Sequence, residues 1–97
     1  MWMPRITVHA YATLGDILGS RNIEIITSAN TLSTLIDFLA VNFDMSFKEM
    51  LIDPLTNSLQ RSYRILINGI DVTSLNGVDT KIREGDTILF FPPVAGG

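Results

Sequence analysis

The sequence predicts an α+β domain in which one main helix packs against one face of a mixed sheet of four or five strands. Apolar residues alternate with polar ones towards both ends of the chain, which indicates strands with one buried face. Between them, Leu32, Leu35, Ile36 and Leu39 recur at the spacing of a single helix face. A helix and a sheet that each have one apolar face bury both by packing together.

The first part of the chain predicts two paired strands. Residues 5–11 and 22–26 each alternate between apolar and polar side chains. The stretch 12–20 contains two glycines and is predicted to be the loop that joins these strands in a hairpin.

Two helices are predicted in the middle of the chain. Asn30 or Thr31 can cap the main helix, since either side chain can accept a hydrogen bond from the first turn. A short second helix is predicted over 47–52, because Ser46 and Glu49 have the spacing of a capping box.

The second half of the chain predicts three further strands separated by turns. Residues 63–67 and 87–91 alternate again, and 70–72 form a short return strand. The return follows Asn68-Gly69, which favours a tight turn because both residues tolerate positive φ. Residues 55–61 are predicted to be a loop. The strand positions expected to face the helix are Ile6, Val8, Ala10, Ile65, Ile67, Ile88 and Phe90.

Composition argues against several kinds of site. The chain of 97 residues is long enough for one domain, and its net charge of -3, without a run of basic side chains, argues against nucleic acid binding. There is no cysteine, and His9 is the single histidine, so a thiolate metal site or a Cys–His catalytic pair cannot form. We expect no metal and no bound cofactor. No apolar stretch approaches the roughly 20 residues that span a membrane, so a soluble, cytoplasmic protein without membrane contact is expected.

The remaining candidate for a reactive site is the C-terminal segment. This arm carries no charged side chain and is predicted to be a flexible tail (92–97) after a domain of residues 1–91. Six residues reach about 20 Å when extended, far enough to enter a buried site on another protein. Two prolines stiffen the base of the arm, and two glycines let an enzyme close tightly around its tip. The terminal carboxylate is then the reactive group, although a frayed terminus is an alternative interpretation. The arm comprises Pro92, Pro93, Val94, Ala95, Gly96 and Gly97.

A second feature indicates that a partner protein binds beside the arm. Strand alternation places four apolar side chains on the sheet face that is turned away from the helix. An exposed apolar patch on a small domain usually marks an interface, and scattered surface apolarity is the alternative. The four residues are Tyr11, Leu66, Leu89 and Phe91.

The stretches 64–72, 75–80 and 83–97 closely resemble the small subunit of molybdopterin synthase (the MoaD family), within the ubiquitin-like sulfur carrier superfamily. The most specific element is the ending Phe-Pro-Pro-Val-Ala-Gly-Gly, and residues 11–17 are similar to the first loop of the same family. The resemblance covers nearly the whole chain. It implies a β-grasp (ubiquitin-like) fold.

The resemblance also implies a mechanism that takes place on partner proteins. An E1-like adenylyltransferase (MoeB-like) would use ATP to adenylate the Gly97 carboxylate, and a sulfur donor would displace AMP to leave a thiocarboxylate. The tail would then enter the large subunit of molybdopterin synthase (MoaE-like) and give its sulfur to a pterin precursor in molybdenum cofactor biosynthesis. Gly96 and the arm would guide the reactant, while Tyr11 and Phe91 match partner contacts of the family. Leu66 falls where ubiquitin has a binding-patch residue.

Residues 44–62 form a longer segment than the shortest family members have. Longer β-grasp carriers with such a segment include archaeal protein modifiers and carriers that supply sulfur for cysteine synthesis. Three alternatives therefore stay open. The chain could carry sulfur for another pathway such as cysteine synthesis, modify proteins by joining Gly97 to lysines, or act as an interaction module with an inert tail.

Overall fold

The computed structural model describes residues 4–93. It contains seven strands, three α-helices and two short 3₁₀ turns over Val72–Ser74 and Gly77–Asp79. In chain order the strands and α-helices are β1 (Arg5–Ala10), α1 (Thr13–Leu18), β2 (Asn22–Ile26), α2 (Leu32–Asn42), α3 (Ser46–Leu51), β3 (Ile52–Asp53), β4 (Ser58–Leu59), β5 (Arg64–Ile67), β6 (Ile70–Asp71) and β7 (Thr87–Phe91).

Five of the strands form a mixed sheet in the order β2-β1-β7-β5-β6, which confirms the predicted fold class. The central strand, β7, runs parallel to β1, and the other neighbouring pairs of the sheet are antiparallel. Val8 stands opposite Ile88, and Ile65 stands opposite Phe90. Strands β3 and β4 pair separately as a small hairpin.

The core lies between this sheet and α2, as predicted. All four apolar residues of the helix face are buried, and so are all seven strand positions that were expected to face it. The short helix α3 completes the core, because the Phe47 ring meets the Phe90 ring edge to face with centroids 5.1 Å apart. Phe47 and Phe90 are among the largest fully buried side chains.

Of the two residues predicted to cap α2, Thr31 occupies the N-cap position. Its hydroxyl accepts a hydrogen bond from the Thr34 backbone N–H at 3.2 Å, and the Thr34 hydroxyl accepts one from the Thr31 N–H at 3.1 Å. The capping box predicted for α3 is wrong. The Asp44 carboxylate fills that role, since it accepts hydrogen bonds from both the backbone N–H and the hydroxyl of Ser46.

The prediction of a loop over 12–20 is also wrong, because α1 occupies 13–18. Leu14 and Leu18 are its buried contacts, and Gly19 ends it with a φ of 77°. Leu14, Ile17 and Leu18 have the spacing of one helical turn, but a single turn is too short to be assigned as a helix, and Gly15 and Gly19 favour a loop on sequence alone. Strands β1 and β2 do pair antiparallel, but a helix joins them instead of the predicted loop.

Gly15 is the point at which α1 packs most closely on β1. A Cβ atom at this position would lie 2.6 Å from the Ala10 carbonyl oxygen, which is backbone and cannot move aside. We expect Gly15→Ala to lower the free energy of unfolding by about 1–2 kcal/mol, because the overpacking outweighs the higher helix propensity of alanine. Urea denaturation measures this, with exposed Asp16→Ala in the same helix as control. A Gly15→Ala protein at least as stable as the parent would contradict the close packing.

The segment 44–62 is more ordered than predicted. The stretch 55–61, predicted to be a loop, contains β4, which pairs with β3 in a hairpin whose turn includes Asn57 at a φ of 60°. Strands of two residues are too short for periodicity to reveal. Three smaller differences concern strand ends, since β1 ends at Ala10, β5 begins at Arg64 and β6 ends at Asp71.

The last strand ends at Phe91. The division of the chain into a domain (1–91) and a tail (92–97) stays a prediction. Residues 1–3 and 94–97 lie outside the described part, so the predicted flexibility of the tail stays a prediction. Among the helices of residues 4–93, none has the length and apolar character needed to cross a membrane.

Candidate functional site

The arm starts from the centre of the sheet. Strand β7 lies between parallel β1 and antiparallel β5, so both sides of its backbone are hydrogen-bonded. The Tyr11 N–H donates to the Phe90 carbonyl at 3.1 Å, which extends the ladder one residue past the end of β1. The base of the arm is therefore fixed by two neighbouring strands up to Phe91.

The structure brings the four predicted contact residues together on the outer face of the sheet, at the end where the arm begins. Leu66 stands directly opposite Leu89, and Phe91 stands opposite Arg64. Tyr11 is 38% exposed, and the other three are half-buried. We call Tyr11, Leu66, Leu89 and Phe91 the outer patch. Their predicted role in partner binding stays a prediction.

Two members of the outer patch form an aromatic stack. The rings of Tyr11 and Phe91 lie 4.6 Å apart between centroids and 5° from parallel. Such a pair contributes about 0.5–1.5 kcal/mol beyond its buried area. The stack ties the last residue of β7 to the segment between β1 and α1, and gives the base of the arm one flat apolar side.

Of the predicted arm residues, the structure describes two. Pro92 is half-buried and Pro93 is exposed. Val94, Ala95, Gly96 and Gly97 lie outside the described residues.

Charged residues border the outer patch, and the sequence interpretation missed them. Arg64 and Asp71 form an ion pair at 3.4 Å between Nη1 and Oδ2. Asp71 lies opposite Leu66, and Arg64 is on the same face as Leu66 by alternation. The signal was present in the sequence, because the Asn68-Gly69 turn fixes which residues of β5 and β6 stand opposite each other.

The Asp71 carboxylate is held in its charged form. Its Oδ1 accepts hydrogen bonds from the Thr73 backbone N–H at 2.9 Å and from the Thr73 hydroxyl at 2.8 Å. These bonds lower the pKa of Asp71 below its usual value, and the charge of Arg64 lowers it further.

The lowered pKa of Asp71 predicts a pH effect on stability. A carboxyl with a depressed folded-state pKa contributes stability above its unfolded pKa of about 3.9, and the contribution is lost as the pH falls through the folded pKa. We expect the free energy of unfolding of the parent to decrease more steeply below about pH 4 than that of Asp71→Asn. Urea denaturation across this range measures both slopes. Equal pH dependence in the two proteins would contradict the assignment.

Within residues 4–93 no group of three His, Asp or Glu side chains is arranged to hold a metal ion. His9 lies in β1 on the outer face, level with Leu89, and is half-buried. The described site therefore consists of the outer patch and the base of the arm.

These features define a class: a ubiquitin-like domain with an apolar outer face, whose central strand is followed in the sequence by a segment ending in Gly-Gly. Residues 8–97 match the model of the ThiS family. The chain belongs to this family of ubiquitin-like sulfur carriers.

Individual relatives agree with this assignment. The sulfur carrier protein CysO of Mycobacterium tuberculosis is 37% identical over 71 residues, which are 72% of this chain and 75% of CysO. The small archaeal modifier protein 3 of Haloferax volcanii is 27% identical over 88 residues, 90% of this chain and 92% of the modifier. Among solved structures, a chain of the BexX/CysO complex of Amycolatopsis orientalis superposes with a TM-score of 0.82 at 26% identity, covering 95% of this chain and 99% of that one.

Proposed function

We propose that this chain carries sulfur on the carboxyl group of Gly97. The observation that carries the proposal is the ending Phe-Pro-Pro-Val-Ala-Gly-Gly, whose first residue, Phe91, is the last residue of the central strand β7 and a member of the outer patch. A carrier needs a surface that a partner can hold and a reactive end that reaches the partner's active site. The outer patch and the arm provide these two parts.

The thiocarboxylate forms in two steps on an E1-like adenylyltransferase. A Gly97 carboxylate oxygen attacks the α-phosphorus of ATP, pyrophosphate leaves, and an acyl-adenylate forms. A sulfide-level sulfur donor then attacks the acyl carbon and AMP leaves, so that Gly97 ends in a thiocarboxylate. The carrier supplies a positioned reactant, and the catalytic acids and bases belong to the partners.

Adenylation can be tested separately from sulfur transfer. With the purified activating enzyme of the same cell, the carrier should stimulate exchange of labelled pyrophosphate into ATP in proportion to its concentration. If an enzyme that accepts another carrier of its cell shows no such stimulation with this one, the proposal is wrong.

Two acceptors of the sulfur are proposed, each with its own support. The Phe-Pro-Pro-Val-Ala-Gly-Gly ending supports the pterin precursor, with the chain acting as small subunit of molybdopterin synthase. Segment 44–62 and the likeness to a sulfur carrier named CysO support another pathway, such as cysteine synthesis. Purified thiocarboxylate, offered to each partner with its substrate, should give either the dithiolene or cysteine. A substrate that gives no product is excluded as the acceptor of the sulfur.

A second candidate function is protein modification, which the similarity to small archaeal modifier protein 3 favours. It uses the same adenylate, but a lysine amine attacks the acyl carbon and forms an amide. A variant with an arginine before Gly96-Gly97 (Ala95→Arg) would leave Gly-Gly remnants on target lysines after trypsin digestion. Their absence in cells grown under several conditions would exclude this function.

A further inference from the structure

A single charged side chain belongs to the two strands that carry most of the outer patch. Among the residues of β5 and β7, only Arg64 is charged. It stands opposite Phe91, on the side of β7 that is turned away from β1. Residues directly opposite each other have Cβ atoms about 4.5–5.5 Å apart. The Arg64 side chain therefore leaves the backbone beside the last residue of β7, while Tyr11 stacks on the other side of that residue.

The Arg64 guanidinium uses little of its hydrogen-bonding capacity inside the domain. Within residues 4–93 its one hydrogen bond runs from Nη1 to Oδ2 of Asp71, at 3.4 Å. Charge-assisted bonds of this kind are usually about 2.7–2.9 Å long, and a guanidinium carries several further N–H donors. The Arg64 side chain is 71% exposed, so most of these donors face solvent.

The carboxylate that Arg64 contacts is fixed in place. Oδ1 of Asp71 accepts two hydrogen bonds from Thr73, and the Asp71 side chain is 26% exposed. Asp71 stands opposite Leu66, and Arg64 lies two residues before Leu66 on the same face. The long contact to Asp71 therefore keeps the guanidinium at the border of the outer patch and leaves its other donors available to a partner.

We propose that Arg64 binds a carboxylate of the E1-like activating enzyme in a bidentate pair when that enzyme covers the outer patch. The partner follows from the proposed function, on which the inference rests. The planar fork of an arginine matches the two oxygens of a carboxylate and forms two parallel N–H···O bonds with them. Leu66 and Phe91 beside it exclude water once they are covered, and the attraction between two charges is stronger where water is excluded.

The pair makes Arg64 a specificity-determining residue. The chain has a net charge of -3, so its overall charge does not attract an acidic surface, and the attraction has to come from this local positive charge. A protein that covers the outer patch without offering an acidic group would leave the guanidinium desolvated and poorly paired. Such a protein is disfavoured even where its apolar surface fits the outer patch.

Two variants of equal charge separate this contact from the general charge of the chain. Arg64→Gln and Arg83→Gln each remove one positive charge from an exposed residue. Arg83 lies in the turn before Thr87, the first residue of β7, and hence at the end of the sheet away from Phe91. Surface plasmon resonance with immobilised activating enzyme, in the absence of ATP, measures association and dissociation rates. We expect Arg64→Gln to weaken the affinity by about tenfold or more and to make association less sensitive to salt. Arg83→Gln should bind like the parent.

Arg64→Lys tests the bidentate geometry, because it keeps the charge and removes the fork. We expect it to associate about as fast as the parent and to dissociate several-fold faster. The proposal is overturned if Arg64→Gln and Arg83→Gln bind equally well, or if Arg64→Lys dissociates as slowly as the parent. A parent protein that does not bind the enzyme would instead contradict the proposed function, and the inference with it. Circular dichroism checks that all three variants are folded.

Discussion

Deletion of Gly97 is expected to abolish sulfur loading while leaving the domain folded. The deletion moves the terminal carboxylate back by one residue, about 3.3–3.6 Å. Misplacing a reacting atom by as little as 1 Å can reduce a rate about 10²-fold, because the attack geometry on the α-phosphorus is lost. Pyrophosphate exchange with the activating enzyme should therefore fall by at least about 10²-fold.

The deletion variant should still bind to the activating enzyme, since the outer patch is intact. We expect it to inhibit loading of the parent carrier competitively. Gly97→Ala keeps the length of the arm and adds a single Cβ atom, so it serves as matched control with a smaller loss. Pyrophosphate exchange by the deletion variant within about tenfold of the parent would show that the last carboxylate is not the reacting group.

The neighbouring residues Phe90 and Phe91 are expected to separate stability from partner binding. Phe90 is fully buried against Phe47, whereas Phe91 lies on the outer patch, stacked on Tyr11. Phe90→Ala should reduce the free energy of unfolding by about 3–5 kcal/mol through lost burial and a residual cavity. Phe91→Ala should cost only about 1–2 kcal/mol. Urea denaturation of both variants measures the difference.

Partner binding should show the opposite order. If Phe91 is an anchor of the interface, Phe91→Ala should weaken affinity for the activating enzyme by about 30-fold or more. The fraction of Phe90→Ala that remains folded should bind with nearly parental affinity. Calorimetric titration under conditions where both variants are folded compares them. If Phe91→Ala binds the activating enzyme as tightly as the parent does, the outer patch is not part of the interface.

The sequence predicted the parts of the fold that repeat a pattern over several residues. Strand β7 and helix α2 span enough residues for alternation or a helical period to appear, and the observed ends of β7 match the prediction. The outer patch followed from the same alternation, since parity alone assigns Leu89 and Phe91 to the face away from Phe90.

The sequence predictions are wrong where the local structure depends on tertiary contacts. Helix α1 is held by two buried leucines and by the close approach of Gly15 to the Ala10 carbonyl, and its six residues are too few to repeat a helical period. The β3–β4 hairpin has two residues per strand. The Tyr11–Phe91 stack joins residues 80 positions apart, so no local pattern could predict it. The partners follow from the family resemblance and not from any pattern in the described residues.

The central claim is that Gly97 carries the sulfur, and the mass of the intact protein tests it most directly. The carrier should be co-produced with its activating enzyme and a sulfur source, then purified without reducing thiols. The account predicts a species heavier by the exchange of one oxygen for sulfur, with fragmentation placing the change on Gly97. An unchanged mass, with an enzyme that demonstrably forms the adenylate, would contradict the account.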